Sequence, residues 1–253
     1  MLKNLPKQVA KLPKEIKKSN LELRIEKSYF YQRMEPIYVP FYHQLHSVFD
    51  EQRITFLKSR IIDHLWEKHT SLSKSYIERV IAREFTPNAE SLYKTIARNY
   101  FKQYNLLKST LLESKANKLT GNQRKTIKSI VHNINKHTKN KLSNHLYNYL
   151  QQGYSKNRAK NEVNRLFKSM AWYRSDRISK TELTRAHNDS ILDTKKSSGI
   201  KRKHWVLCDN CSDTGSCKIC KANYKAGWIS INKKFPSGHF MPPVHPNCSC
   251  GIR

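Results

Sequence analysis

The chain reads as an α+β protein: a mainly α-helical N-terminal and central region, followed by a small Cys-rich mixed α/β C-terminal module. Three observations predict this. Apolar residues recur at spacings of three and four from Phe41 into the 170s. That stripe stops near Gly199, where His204-Trp205-Val206-Leu207 has strand character. All six cysteines then fall between Cys208 and Cys250.

The elements follow in order. Residues 1–20 form a basic arm in which Pro6 and Pro13 break any long helix. Residues 21–174 form the helical region. Pro36 and Pro40 punctuate the start of a helix that carries Phe41, Leu45, Val48, Ile54, Leu57, Ile61 and Leu65. Ser75 and Glu78 have capping-box spacing ahead of Ile77, Val80 and Ile81, and Thr86-Pro87 ends that piece. Leu92, Ile96, Tyr100 and Tyr104 stripe another helix. Gly121-Asn122 is a turn signal. Ile127 to Ile134 and Leu142 to Leu150 predict two further helices, with Gly153 as a C-terminal cap. Ser155 caps a helix through Val163, Phe167 and Met170. A new helix from about Ser175 to Ser197 opens the C-terminal module, residues 175–253, in which no helical stripe follows Leu207.

The 253 residues contain 48 Lys+Arg and 19 Asp+Glu, a formal net charge of +29. The pI is about 10.0 and the mean hydropathy is −0.76. No run approaches the roughly 20 apolar residues of a membrane helix, and no signal-peptide h-region follows Met1. Such a charge predicts a polyanionic neighbour. From Glu113 to Glu162 no acidic residue intervenes, while eleven Lys/Arg occur from Lys115 to Lys160. Lys115, Lys118, Arg124, Lys125, Lys128, Lys136, Lys139 and Lys141 are the candidate contacts to nucleic-acid phosphates, without sequence preference.

Cys208, Cys211, Cys217, Cys220, Cys248 and Cys250 make two C-x-x-C pairs and one C-x-C pair, with His245 three residues before Cys248. Without a secretory signal, structural Zn²⁺ is a better reading than disulfides. Cys217, Cys220 and Cys248 with either Cys250 or His245 are the favoured ligands; Cys208 and Cys211 join a second site or replace part of the first. A module this poor in apolar side chains gains from metal what it cannot gain from burial, since structural zinc supplies about 10–16 kcal/mol in small domains. Nothing indicates an open coordination position beside a general base, so catalytic zinc is disfavoured.

Cys217-Lys218-Ile219-Cys220 and the closing run Pro242-Pro243-Val244-His245-Pro246-Asn247-Cys248-Ser249-Cys250 resemble the C-terminal part of the Mu F-like phage minor head proteins, also called phage head morphogenesis proteins. Lys180-Thr181-Glu182, Arg185-Ala186-His187-Asn188, Gly199 and Trp205 fit the same layout over roughly residues 140–253. The resemblance implies a bacteriophage virion component, low in copy number, needed for head morphogenesis and placed near the portal in the capsid interior. It implies the portal protein, other head proteins and packaged double-stranded DNA as partners, with no membrane and no small-molecule substrate. Relatives of this domain have been likened to ADP-ribosyltransferases. No catalytic residue is carried over, and Glu182 reads as a helix-surface charge.

Two other classes compete. A zinc-ribbon nucleic-acid-binding regulator would discriminate between DNA sequences. An enzyme, either a nuclease or an ADP-ribosyltransferase-like effector, finds weak footing: His187-Asn188-Asp189 sits in a predicted helix without a second matched histidine. No phosphate-binding P-loop, dinucleotide fingerprint or nucleophile elbow is present.

Overall fold

Turn and cap chemistry sets the limits of the helices. A computed structural model describes residues 29–68, 72–85, 87–112, 116, 118–208 and 217–253, with the backbone alone at 29–35 and 107–112. The predicted basic arm, residues 1–20, lies outside the described residues. The elements are α1 (Tyr29–Lys58), α2 (Ile61–Glu67), α3 (Lys74–Glu84), α4 (Ala89–Leu112), α5 (Gly121–Gln151), α6 (Lys156–Ser197), β1 (Arg202–Val206), α7 (Lys218–Lys225), β2 (Trp228–Ser230) and β3 (Gly251–Ile252). The predicted helical region with a small α/β module is therefore what the chain forms.

Local expectations fail in several places. The helix expected to run on through Ile61 and Leu65 breaks at Ser59 and Arg60, so those two residues lie on α2. Helix α1 runs through Pro36 and Pro40 rather than starting after them. The prolines forfeit backbone bonds, but Ile37, Tyr38, Phe41 and Tyr42 around them are fully buried and hold the helix in place. The cap of α3 is Ser73, whose Oγ accepts from Tyr76 N at 3.3 Å; Ser75 lies in the first turn. Gly121-Asn122 opens α5 instead of turning, because Thr120 and Gln123 form a full capping box just there. The two helices predicted across 127–150 are one, and so are the two predicted across 155–197. No Gly or Pro interrupts the 42 residues of α6, so its expected break at Ser175 is absent and the expected domain boundary falls inside a helix. Two of the predicted stops hold: Gly153 and Gly199 take φ of 66° and 71°, which an L side chain adopts only with strain.

Helix α6 is the spine. At about 1.5 Å per residue it is roughly 63 Å long, enough to line three cores in succession. Val163, Phe167 and Met170 pack with Phe56 of α1, α2, α3 and Leu142, Leu146 and Leu150 of α5. Ala171, Leu183 and Ala186 pack with α1, α4 and the N-terminal half of α5. Leu192 enters the third core, with Trp205, Ile231, Phe235, Ile252 and three cysteines. That third core sits on an antiparallel sheet ordered β2-β1-β3, with His204 opposite Trp228 and Trp205 opposite Ile252.

Polar pairs tie the spine to its neighbours. Tyr38 donates to Asp176 at 2.5 Å, and Lys180 pairs with the same carboxylate at 2.6 Å. One layer on, Tyr100 donates to Asp189 and Tyr104 donates to Asp193 at 2.7 Å, two i,i+4 pairs facing each other. Burial first, then repulsion from Asp193, pushes the Asp189 carboxyl up to about 7. Its unfolded value is about 3.9. The folded chain thus binds this proton more tightly, and the stability it contributes is complete below about pH 4 and lost as pH rises through about 7. We expect Asp189→Asn to stabilise the protein at pH 8 by about 1–2 kcal/mol, water screening being allowed for, and to do little at pH 4.5. Denaturant melts at both pH values check this; an equal loss at both would contradict it.

No helix among the described residues is long and apolar enough to cross a membrane.

Candidate metal centre

The Cys/His cluster is assembled by two docking operations. In the first, Cys217 takes the cap position of α7 and Cys220 lies one turn on, so both sulfurs fall on one side. This eight-residue helix buries only Cys220 and Asn223, so it carries no apolar stripe for the sequence to announce. In the second, the closing run folds back on α6. Thr181 Oγ1 accepts from Asn247 N at 3.0 Å, and Asn247 adopts a left-handed φ of 58°, which Asn tolerates. Seven residues along the same face of α6, the fully buried Asn188 donates to Cys250 O at 3.1 Å and accepts from Ile252 N at 3.0 Å. A turn from His245 O to Cys248 N at 3.2 Å then brings His245 and Cys248 to the same place.

The donor atoms form two triangles sharing Cys220. Cys217, Cys220 and His245 lie within 4.8 Å of one another, as do Cys220, Cys248 and Cys250. Cys220, Cys248 and Cys250 are buried and Cys217 is half-buried; none of the four is in a disulfide. Zn–S and Zn–N bonds of about 2.3 and 2.0–2.1 Å imply tetrahedral S···S and S···N separations of about 3.8 and 3.6 Å. Cys220 Sγ lies 3.9 Å from Cys248 Sγ and 3.4 Å from His245 Nε2, so these separations match a metal site.

The imidazole is oriented for ligation. His245 Nδ1 lies 2.9 Å from the Pro246 carbonyl oxygen. That oxygen only accepts, so Nδ1 carries the proton and Nε2 turns its lone pair toward Cys220. The sulfurs are electrostatically uneven. Hydrogen bonds with Cys248 and Cys250, then burial, push the Cys220 thiol up. Hydrogen bonds from Cys220 and Cys248 draw the Cys250 thiol down, helped by the Cys208 backbone N–H and the Trp205 side chain. A buried cluster that gathers negative charge on one sulfur is suited to exchange its protons for a cation. The chemistry of the donors, their spacing and the tautomer all fit a metal ion.

Cys208 does not join them as a thiolate: its sulfur is in a disulfide, and oxidised sulfur is no ligand of this kind. Cys211 lies outside the described residues. His239 points elsewhere, its Nδ1 2.9 Å from Ser237 O.

The predicted phosphate-facing cations separate into groups. Arg124, Lys125, Lys128 and Lys136 are exposed on α5, within an arc of about 120° at roughly 100° per residue. Lys118 is exposed just before that helix. Lys139 is partly buried and donates to Ala82 O at 3.1 Å, which ties α5 to α3. Lys141 is exposed on the other side of α5, beside Ile134 and His137. Lys115 lies outside the described residues. Glu182 is not a surface charge: it is 3% exposed and pairs with Arg185 at 3.0 Å. Asn188, read from sequence as part of the Arg185-Ala186-His187-Asn188 element and as one letter of a weak nuclease-like triplet, is the clamp that holds the C-x-C pair on the spine.

The chain matches no family model, no curated protein and no solved structure.

Proposed function

We propose that this protein is a non-catalytic, structural component of a phage head, with its C-terminal module held together by one zinc ion. The module carries the resemblance to Mu F-like minor head proteins. One observation supports the reading above the rest: the residues quoted for that resemblance converge on one unit. Thr181 and Asn188 of α6 hold Asn247 and Cys250, and His245 and Cys248 meet Cys220. Cys220 is the ligand common to both triangles; His245 and Cys248 join it, and buried Cys250 is preferred over half-buried Cys217 as the fourth. With four protein ligands the ion is closed to substrate and supplies folding energy, not chemistry. The portal protein and the packaged DNA are the proposed partners, in the virion near the portal.

Mass spectrometry of purified particles of the encoding phage tests the role. The protein is expected at low copy; its absence from particles would overturn the reading. The exposed stripe on α5 is the proposed DNA contact. Changing Arg124, Lys125, Lys128 and Lys136 together to Gln is expected to flatten the dependence of log K on log salt by up to about 3–4 in slope, with little change between DNA sequences. An unchanged slope would reduce this stripe to a solvated coat.

A further inference from the structure

A cavity of about 630 Å³ lies between α5 and α6, roofed by the segment from His239 to Pro246. Its α6 wall presents Arg174, Arg177, Ile178, Thr181 and Arg185, at offsets of three, four, seven and eleven from the first, so that one face lines it. Its α5 wall presents Ile130, Ile134, His137 and Lys141. Leu166, Met170, Pro243 and Val244 add apolar surface. The volume suits one small molecule.

The charge in this cavity is not balanced by the protein. Arg185 is paired with Glu182. Lys141, Arg174 and Arg177 have no carboxylate partner among the described residues. Their joint field is felt by His137, which is lowered by burial and then by Arg174, Lys141 and Arg177. Arg174 is the decisive residue. It is only 9% exposed, its Nη1 donates to Thr138 Oγ1 at 2.6 Å, and its buried Nη2 has no partner. Burial draws its guanidinium down to about 10, with no acid to offset the cost. A buried donor left open on a charged fork is expensive to keep, and a guanidinium fork matches phosphate oxygens in pairs.

We propose that this cavity binds a small phosphorylated molecule with a planar or apolar body, of the nucleoside monophosphate class. The phosphate sits on Arg177 and Lys141, backed by the uncompensated buried charge of Arg174. The body lies against Ile134, Met170 and Val244, with the half-exposed ring of Tyr173 at the rim, where its hydroxyl accepts from Arg177 at 2.8 Å. Three cations favour a dianionic phosphate over a carboxylate. A duplex backbone is not the occupant: the exposed α5 stripe faces away from Lys141 and from this cavity. This inference goes beyond the head-protein reading and stands or falls without it.

The test is a fluorescence titration of the full chain with N-methylanthraniloyl-AMP, followed by displacement. Saturable binding at one site is expected, with AMP displacing the probe at least tenfold better than adenosine. Arg174→Met and Arg177→Ala are each expected to weaken binding at least tenfold. Arg177→Ala, the more exposed position, keeps the test valid if Arg174→Met fails to fold. Lys102→Gln, exposed on α4, is expected to leave binding unchanged. Absence of saturable binding, equal displacement by adenosine, no effect of Arg177→Ala, or better displacement by a short DNA duplex than by AMP would each overturn the proposal.

Discussion

Cys220→Ser is expected to strip the metal from the protein and unfold the C-terminal module from β1 onward, α7 included, while leaving α1 to α6 intact. Cys220 belongs to both donor triangles and is fully buried, so no other cysteine can take its place without moving a core residue. Serine keeps the volume but offers a hydroxyl that stays protonated at neutral pH and is a poor zinc ligand. The loss is large because of what the third core is made of. It has eight buried members, and Cys220, Cys248 and Cys250 are three of them. Without a shared ion those sulfurs are weakly held small hydrophobes, and the zinc contribution of about 10–16 kcal/mol in such domains disappears. The two helical cores contain none of these residues and keep their own packing. The expected record is loss of bound metal, loss of the near-ultraviolet signal of Trp205 and Trp228, and little change in helix content. Unchanged metal and tryptophan signals would refute it. Cys217→Ser is expected to have a smaller effect, since Cys217 belongs to one triangle and is half-buried.

Asn188→Leu is expected to cost about 3–5 kcal/mol and to loosen the closing run from α6. The two side chains are close in volume, so packing is preserved and the effect isolates hydrogen bonding. Asn188 makes three bonds: it donates to Thr184 O and Cys250 O and accepts from Ile252 N. Leucine leaves the last two backbone groups buried and unmet, at about 1–3 kcal/mol each. Hydrogen exchange reads this locally. Ile252 and the amides of β1 should exchange faster, while those of α1 and α4 should not. Global, uniform acceleration would show that Asn188 serves the whole fold instead of the clamp.

The helices were legible because burial enforces their period. Leu92, Ile96, Tyr100 and Tyr104 stripe α4, and all four are fully buried as the spacing predicts. What failed was punctuation. Pro36 and Pro40 read as a start, yet tertiary burial of the residues between and after them outweighs two lost backbone bonds. The spine was cut in two at Ser175 because polar residues gather there: Arg174, Ser175, Asp176, Ser179 and Lys180 look like solvent-facing letters and are all buried. Their partners, Thr138 and Tyr38, are 36 and 138 residues away. No local pattern announces such pairing. The Cys/His cluster was legible as a composition, because thiols crowded into a segment with few apolar residues have few other uses. Its geometry was not, since the clamps at Thr181 and Asn188 come from a helix more than sixty residues upstream of the atoms they hold. Arg174, which opens the anionic cavity, was hidden for the same reason: an arginine in a chain of net charge +29 looks like one more surface cation.

Native mass spectrometry of the full chain, purified without chelator or added metal, tests the central claim most directly. The account predicts one zinc ion per chain, lost in Cys220→Ser and retained in Lys125→Gln. A wild-type chain that is folded, with its tryptophans ordered, and carries no metal would contradict it.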